Sequence, residues 1–305
     1  MPILKRNEKE TYETIADNNM ARKGDLDAII DYVNDAITSD GNLEADVISE
    51  ETSATGVTVD GVLNKDGLVS NAVAGLFYKA PLINGIKPFS AFTFFDDFFR
   101  PAAAAAPLAE WTVTEDDGAD TQIINDAVGG TLTLTQKVTT DDDASQIQLQ
   151  TEGFKMVADK EIWFETRIKC ATGDATNLDF FIGLAEAEDL TGVSDNMPAN
   201  GFGFHKDDAA KEIDLSTSDD GTNIESGTVH TLVDDTWVRL GFHFDGGATG
   251  SGTITPYIDG VAGTAITTAT YATMVEVAPI FMLRNGDATV TQTMEIDYIY
   301  VAQER

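Results

Sequence analysis

Residues 236–260, TWVRLGFHFDGGATGSGTITPYIDG, decide the fold. Val238, Leu240, Phe242 and Phe244 alternate with Trp237, Arg239, Gly241 and His243, the period-2 pattern of a strand with one buried face. Asp245-Gly246-Gly247 then turns the chain, because glycine accepts positive φ without steric cost. The return run Thr253 to Ile258 ends at Asp259-Gly260, a two-residue turn signal. The stretch predicts a β-hairpin. Pro256 has no N–H to give a ladder, so the returning strand is expected near a sheet edge.

The same signature continues on both sides of this hairpin. Trp111–Val113, Thr131–Gln136, Ser145–Gln150, Glu161–Lys169, Phe180–Leu184 and Gly201–His205 read as short strands, followed by Ile213–Ser216, Thr228–Leu232, Ala278–Arg284 and Met294–Val301. Gly, Asp and Asn punctuate them, as in a sandwich or barrel. Alternation within the runs indicates antiparallel sheets with one wet face each, hence a mainly β, two-sheet jelly roll over residues 91–305. Its first strand is expected in the aromatic run Phe77 to Arg100, with Phe94 and Phe98 in the core, since Phe89, Phe92, Phe94, Phe95, Phe98 and Phe99 together would otherwise be an exposed apolar surface. The other reading of that run is an inter-subunit or attachment surface.

Two different segments precede the sandwich. Within residues 1–43, Leu26, Ile29, Ile30, Val33 and Ile37 recur at helical spacing between a start at Gly24-Asp25 and a stop at Asp40-Gly41. A helix of about three turns is too short to stand alone in water, so its apolar stripe calls for a partner. Residues 44–90 contain very short strand-like runs, Val57, Val59, Val62, Leu63, Leu68 and Val69, between the turns Thr55-Gly56, Asp60-Gly61 and Asp66-Gly67. One copy of such a segment buries too little surface to offset its ordering entropy, whereas three copies around an axis could.

Composition narrows the function classes. The formal charge is −33; residues 1–100 hold 9 basic and 17 acidic side chains, net −8, which leaves −25 for residues 101–305. Phosphate contacts need a basic face, so nucleic acid is not expected as a ligand. No apolar run reaches the length of a membrane helix, and MPILKRNEKE has no signal-peptide core, so synthesis in the cytoplasm without membrane insertion is expected. The single cysteine, Cys170, sits in an alternating run and is expected to be a buried, inert thiol.

The pattern W-x-R-L-x-F-x-F-D-G followed by Y-I-D-G resembles a hairpin of concanavalin A-like or laminin G-like jelly rolls, and Met294 to Val301 resembles their closing strand. That resemblance implies a fold which hosts lectins, glycan hydrolases and structural modules alike. Val57, Thr58, Val59, Asp60, Gly61, Val62, Leu63, Lys65, Asp66 and Gly67, as V-T-V-D-G-V-L-x-K-D-G, resemble a segment of bacteriophage head fibres, capsid decoration proteins and tail spikes. It implies a virion protein on the outer capsid surface, a homotrimer that binds the major capsid protein or another virion protein. Leu26, Ile29, Ile30, Val33, Ile37, Val57, Val59, Val62 and Leu63 would then carry anchoring or trimer contacts.

Chemistry is sparse by comparison. Glycosidases need two carboxylates flanking the bond, and strand residues two apart share a face. Glu295/Asp297, Glu212/Asp214, Glu186/Glu188 and Glu161/Glu165 offer pairs without a third carboxylate in register, so no enzyme is expected and no catalytic residue is assigned. No cofactor is expected either. Asp141, Asp143 and Asp219, in acidic loops, are the candidates should calcium bind, since calcium takes several converging oxygens. Zinc has neither the cysteines nor the histidine spacing. The alternative to a decoration role is a glycan-binding or glycan-cleaving tail appendage for a host surface glycan, with Trp111 as the stacking candidate and Trp163 and Trp237 assigned to strands.

Overall fold

The computed structural model describes residues 57–59, 62–65, 68–71, 91–99, 110–116, 121–125, 129–136, 142–191, 196–207, 209–248, 250–271, 273–286 and 290–305. The arm with Leu26, Ile29, Ile30, Val33 and Ile37 lies outside these residues, as does Asp141. No helix among the described residues is long and apolar enough to cross a membrane.

The turn-rich segment forms a sheet of its own. Strands β1 (Val57–Val59), β2 (Val62–Lys65) and β3 (Leu68–Asn71) lie in that order, with β2 and β3 antiparallel and Val62 opposite Asn71. Val57, Val59, Val62 and Leu63 therefore fall on strands, as their spacing between turns predicts.

The rest of the described chain is a two-sheet sandwich. One sheet has β5 (Trp111–Glu115), β8 (Ala144–Leu149), β10 (Leu178–Ala185), β11 (Gly201–Lys206), β12 (Glu212–Asp219), β13 (Thr222–Thr231) and β18 (Ala278–Asn285), in the order β13-β12-β11-β10-β18-β8-β5. The other holds β6 (Thr121–Asn125), β7 (Thr131–Gln136), β9 (Ile162–Cys170), β14 (Val238–Phe244), β15 (Ser251–Ile258), β16 (Val261–Ala262) and β19 (Gln292–Glu304), in the order β16-β15-β14-β9-β19-β7-β6. Two more strands join it, β17 (Ile266–Thr270) on β15 and β4 (Ala91–Asp96) on β19. A single helical turn, α1 (Asp174–Asn177), links β9 to β10.

Alternation puts one apolar row from each strand between the sheets. Ile162, Phe164, Ile168 and Cys170 of β9, Val238, Leu240, Phe242 and Phe244 of β14, and Met294, Ile296, Ile299 and Val301 of β19 meet Phe180, Ile182 and Leu184 of β10 and Phe202 and Phe204 of β11. Phe164 stacks on Phe242 with centroids 4.8 Å apart, and Phe202 meets Phe242 edge-on at 5.2 Å. Cys170 is buried in this core, and burial pushes its thiol up to about 12, so it stays protonated and inert.

The hairpin that fixed the reading is present. β14 pairs β15 from Leu240↔Ile258 to Phe244↔Ile254, and Asp259 and Gly260 close the next turn with φ of 51° and 83°, the two positive values a type I′ turn needs. Pro256 sits where the outer partner of β15 changes: β17 pairs Ser251 to Ile254, and β16 pairs Tyr257 and Ile258. The aromatic run also enters the sandwich as expected, with β4 along β19, Phe98 fully buried and Phe94 packed against the core.

Candidate functional site

Trp111 is a core residue and not the surface stacking group expected of it. It is 3 % exposed, between the sheets, with rings of Phe94, Phe98 and Phe281 at 5.8–6.0 Å. Its indole Nε1 donates to Asp96 Oδ2 at 3.1 Å, and the Phe98 N–H donates to Asp96 Oδ1 at 2.9 Å. One buried carboxylate thus pins the first strand to the core, and Trp111 presents no face to a sugar. A core position satisfies the indole N–H as well as a surface would, provided an acceptor is buried with it.

The calcium candidates do not converge. Asp143 precedes β8 beside the end of β18, whereas Asp219 ends β12 at the opposite end of the same sheet and accepts from Thr273 N at 3.2 Å and Thr273 Oγ1 at 2.6 Å. Asp220 and Gly221, with φ of 51° and 73°, form the hairpin turn into β13, which is what that acidic stretch does. Among the described residues no three His, Cys, Asp or Glu side chains are placed to hold a metal ion.

The outer face of the seven-stranded sheet is covered by the chain itself. After β10, residues 186–191 and 196–200 lie on this face as a strap. Gln148 Nε2 donates to Ala185 O at 3.0 Å and Glu186 O at 2.8 Å, and Gln146 Nε2 donates to Glu188 O at 2.8 Å. Leu190 N returns a bond to Gln146 Oε1 at 2.8 Å, and Ser218 Oγ donates to Ala199 O at 3.0 Å. Leu190 and Met197 pack onto Phe181, Ala185, Ile280 and Met282. Beyond the strap, His205 lies opposite Asp214 in the β11–β12 register, and its Nε2 is 3.2 Å from Asp207 Oδ1. Burial pushes the Asp214 carboxyl up; His205 and a Thr228 hydrogen bond work against the rise, and Asp207 and Glu212 add to it. Of the four carboxylate pairs, Glu212/Asp214 thus has a perturbed acid beside an imidazole.

The outer face of the nine-stranded sheet is open and aromatic. Phe95 of β4 is 59 % exposed and lies opposite Tyr300 of β19 in register. Its ring centroid is 6.4 Å from Tyr300 and 6.5 Å from Tyr298. Both tyrosines share the face because β19 bulges between Ile296 and Tyr298 against β9, which turns the consecutive residues Asp297 and Tyr298 outward between buried Ile296 and Ile299.

Polar groups border these rings. Tyr298 OH donates to Glu165 Oε1 at 2.6 Å, Arg167 Nη1 pairs with Asp297 Oδ2 at 2.9 Å, and Lys169 Nζ pairs with Glu295 Oε1 at 2.9 Å. The Arg167 guanidinium and the Lys169 ammonium stand 4.7 and 5.1 Å from the half-buried Trp237 ring. Tyr257 and Tyr300 pack on Trp163 and Ala302. Trp163 is buried beneath them, stacked 5.4 Å from His243, whose Nε2 is 2.7 Å from Glu161 Oε2. Burial raises the Tyr300 hydroxyl to about 12 and raises Tyr298 further, with Glu165 adding to it, so both are neutral donors at ordinary pH. Tyr298 and Tyr300 are functional candidates that the sequence reading missed, and it marked Phe95 only as part of an apolar run. The available signal was the Tyr spacing in Ile296-Asp297-Tyr298-Ile299-Tyr300-Val301, where Ile and Val take the core side.

No protein-family profile matches this chain, and no curated protein matches it. Solved structures do. An endo-1,3-beta-glucanase from Streptomyces sioyaensis is 14% identical with a TM-score of 0.50, over 71% of this chain and 97% of the glucanase. Lectin II from Ulex europaeus is 13% identical with a TM-score of 0.46, over 70% and 99%. A carbohydrate esterase from the Shiga toxin-encoding bacteriophage phi24B is 20% identical with a TM-score of 0.41, over 63% and 89%. The sandwich is a concanavalin A-like jelly roll. This corrects the expectation that the protein is not an enzyme: the fold is one a glucanase uses, so it gives no ground for setting catalysis aside.

Proposed function

We propose that this protein is a glycan-binding appendage of a bacteriophage particle, with its sandwich facing host surface polysaccharide. The observation that carries the reading is the platform of Phe95, Tyr298 and Tyr300 beside Glu165, Arg167 and Asp297. A pyranose ring has an apolar C–H face and a rim of hydroxyls; exposed rings next to fixed carboxylates and a guanidinium complement both. The strands hold these groups rigidly, so little ordering entropy is lost on binding. A glucanase, a lectin and a phage esterase among similarly folded proteins agree with a carbohydrate role. In this scheme residues 1–43 attach the protein to a capsid or tail protein through Leu26, Ile29, Ile30, Val33 and Ile37. Residues 44–90 hold three copies together, consistent with the phage-like segment and its three short strands.

The test is a polysaccharide array probed with the full chain and with Phe95→Ala. Binding to at least one glycan is expected, weakened about tenfold or more by the substitution, which equals roughly 1.4 kcal/mol of lost stacking. Release of reducing ends from the bound glycan would add cleavage to the role. Failure to retain any capsule or lipopolysaccharide glycan, or equal retention by Phe95→Ala, would remove this reading.

A further inference from the structure

We infer that the ligand of the Phe95 face is an uncharged, elongated glycan laid across five strands, an inference that rests on the glycan-binding reading of that face. The register places Tyr257 of β15, Gly241 of β14, Glu165 of β9, Tyr300 of β19 and Phe95 of β4 in one line across the sheet. Four inter-strand spacings of about 4.8 Å give this line a length of about 19 Å, longer than one sugar ring. Rings stand at both ends and past the middle, and the one position without a side chain, Gly241, lies between Tyr257 and Glu165. A single sugar would use only the Phe95–Tyr300 end; a chain would use Tyr257 as well.

Charge selects the class of glycan. Each described cation bordering the line already faces an anion: Arg167 with Asp297 at 2.9 Å, Lys169 with Glu295 at 2.9 Å, and Arg239 with Asp259 at 4.0 Å. A uronic or sialic acid would have to break one of these pairs to gain a partner. It would also approach a region whose residues 101–305 carry a formal −25. Hydroxyls face no such obstacle, since Glu165, Glu161 and Asp297 carry acceptor oxygens and Tyr257 and Tyr300 carry hydroxyl donors.

Calorimetric titration of the full chain tests this, with neutral linear β-glucan oligosaccharides from disaccharide to hexasaccharide, polygalacturonate oligomers and chitosan oligomers as probes. The hexasaccharide should bind about tenfold tighter than the disaccharide. Tyr257→Ala should abolish that gain, and Tyr257→Phe should keep it, which separates loss of the ring from loss of folding. Polygalacturonate should not bind at low or high salt. Equal affinity at all lengths, a Tyr257→Ala variant indistinguishable from the parent, or tighter binding of polygalacturonate or chitosan would overturn the inference. If glycan binding persists and is lost only in Phe95→Ala, the glycan-binding function stands and the five-strand line falls; if no oligosaccharide binds the parent, both fall.

Discussion

Trp111 and Phe95 show how little residue type alone says about role. Both are aromatic and both sit in strands, yet Trp111 is sealed in the core because Asp96 is buried with it as an acceptor, while Phe95 points to solvent from the opposite side of its own strand. Asp174 carries a testable consequence at the same scale. Its carboxyl, 3 % exposed and accepting from Thr293 N at 2.7 Å, is raised from 3.8 to about 6. Burial is the main cause, the Thr293 N–H opposes it, and Asp234 and Asp235 add to it. The folded protein therefore holds a proton that the unfolded chain releases near 3.8, so this residue's contribution to stability falls as pH rises from about 3.8 to about 6 and stays lower above that. Asp174→Asn keeps an acceptor for Thr293 and removes the ionisation. Thermal melts should show it more stable than the parent above the window and equal to it below; an equal gain on both sides would place the effect elsewhere.

Among the elements, β10 and β11 show why tertiary context overrides pattern. Every residue of LDFFIGLA and GFGFHK is buried, because Leu190 and Met197 of the strap pack on the second face of β10 and Pro198 stands over Gly201 of β11. Glycine makes this possible: Gly183 and Gly203 face each other, and a Cβ on Gly203 would lie 2.4 Å from Ile182 O and 2.8 Å from Gly183 Cα. Gly201 likewise leaves room for Pro198 of the strap, whose Cγ is 2.6 Å from where a Cβ would stand. Gly203→Ala is expected to cost about 1–3 kcal/mol through overpacking, read as a lower denaturation midpoint in urea with an unchanged slope. An unchanged midpoint would mean that the strands separate without cost. In β19 the decisive device is the bulge before Tyr298, which no composition rule marks and which sets two consecutive side chains on the open face.

For the whole molecule, the three short strands over 57–71 and the phage-like segment lead to a threefold assembly as the expected state. Intertwined trimers bury large apolar interfaces, and residues 44–90 offer little that one copy could bury alone. Light scattering should give three times 32.7 kDa for the full chain and a monomer for residues 90–305. A full-length monomer would defeat the trimer and, with it, the role given to Val57, Val59, Val62 and Leu63.

The sequence by itself determined the class of fold: period-2 alternation in β9, β14 and β19, the Asp259-Gly260 turn, and the entry of the aromatic run as a strand are local effects of side-chain parity and φ preference. It also determined Cys170, since a small apolar side chain in the inward register of a strand has nowhere else to go. Only the tertiary structure decided which face of each sheet stays open. The strap closes one through contacts between residues such as Gln146 and Leu190, distant in sequence, and the Phe95 platform on the other is assembled from β4 and β19, whose paired residues lie some two hundred positions apart. Surfaces of this kind depend on strand neighbours and register, and those are set by the packing of the whole sandwich rather than by any one stretch of chain.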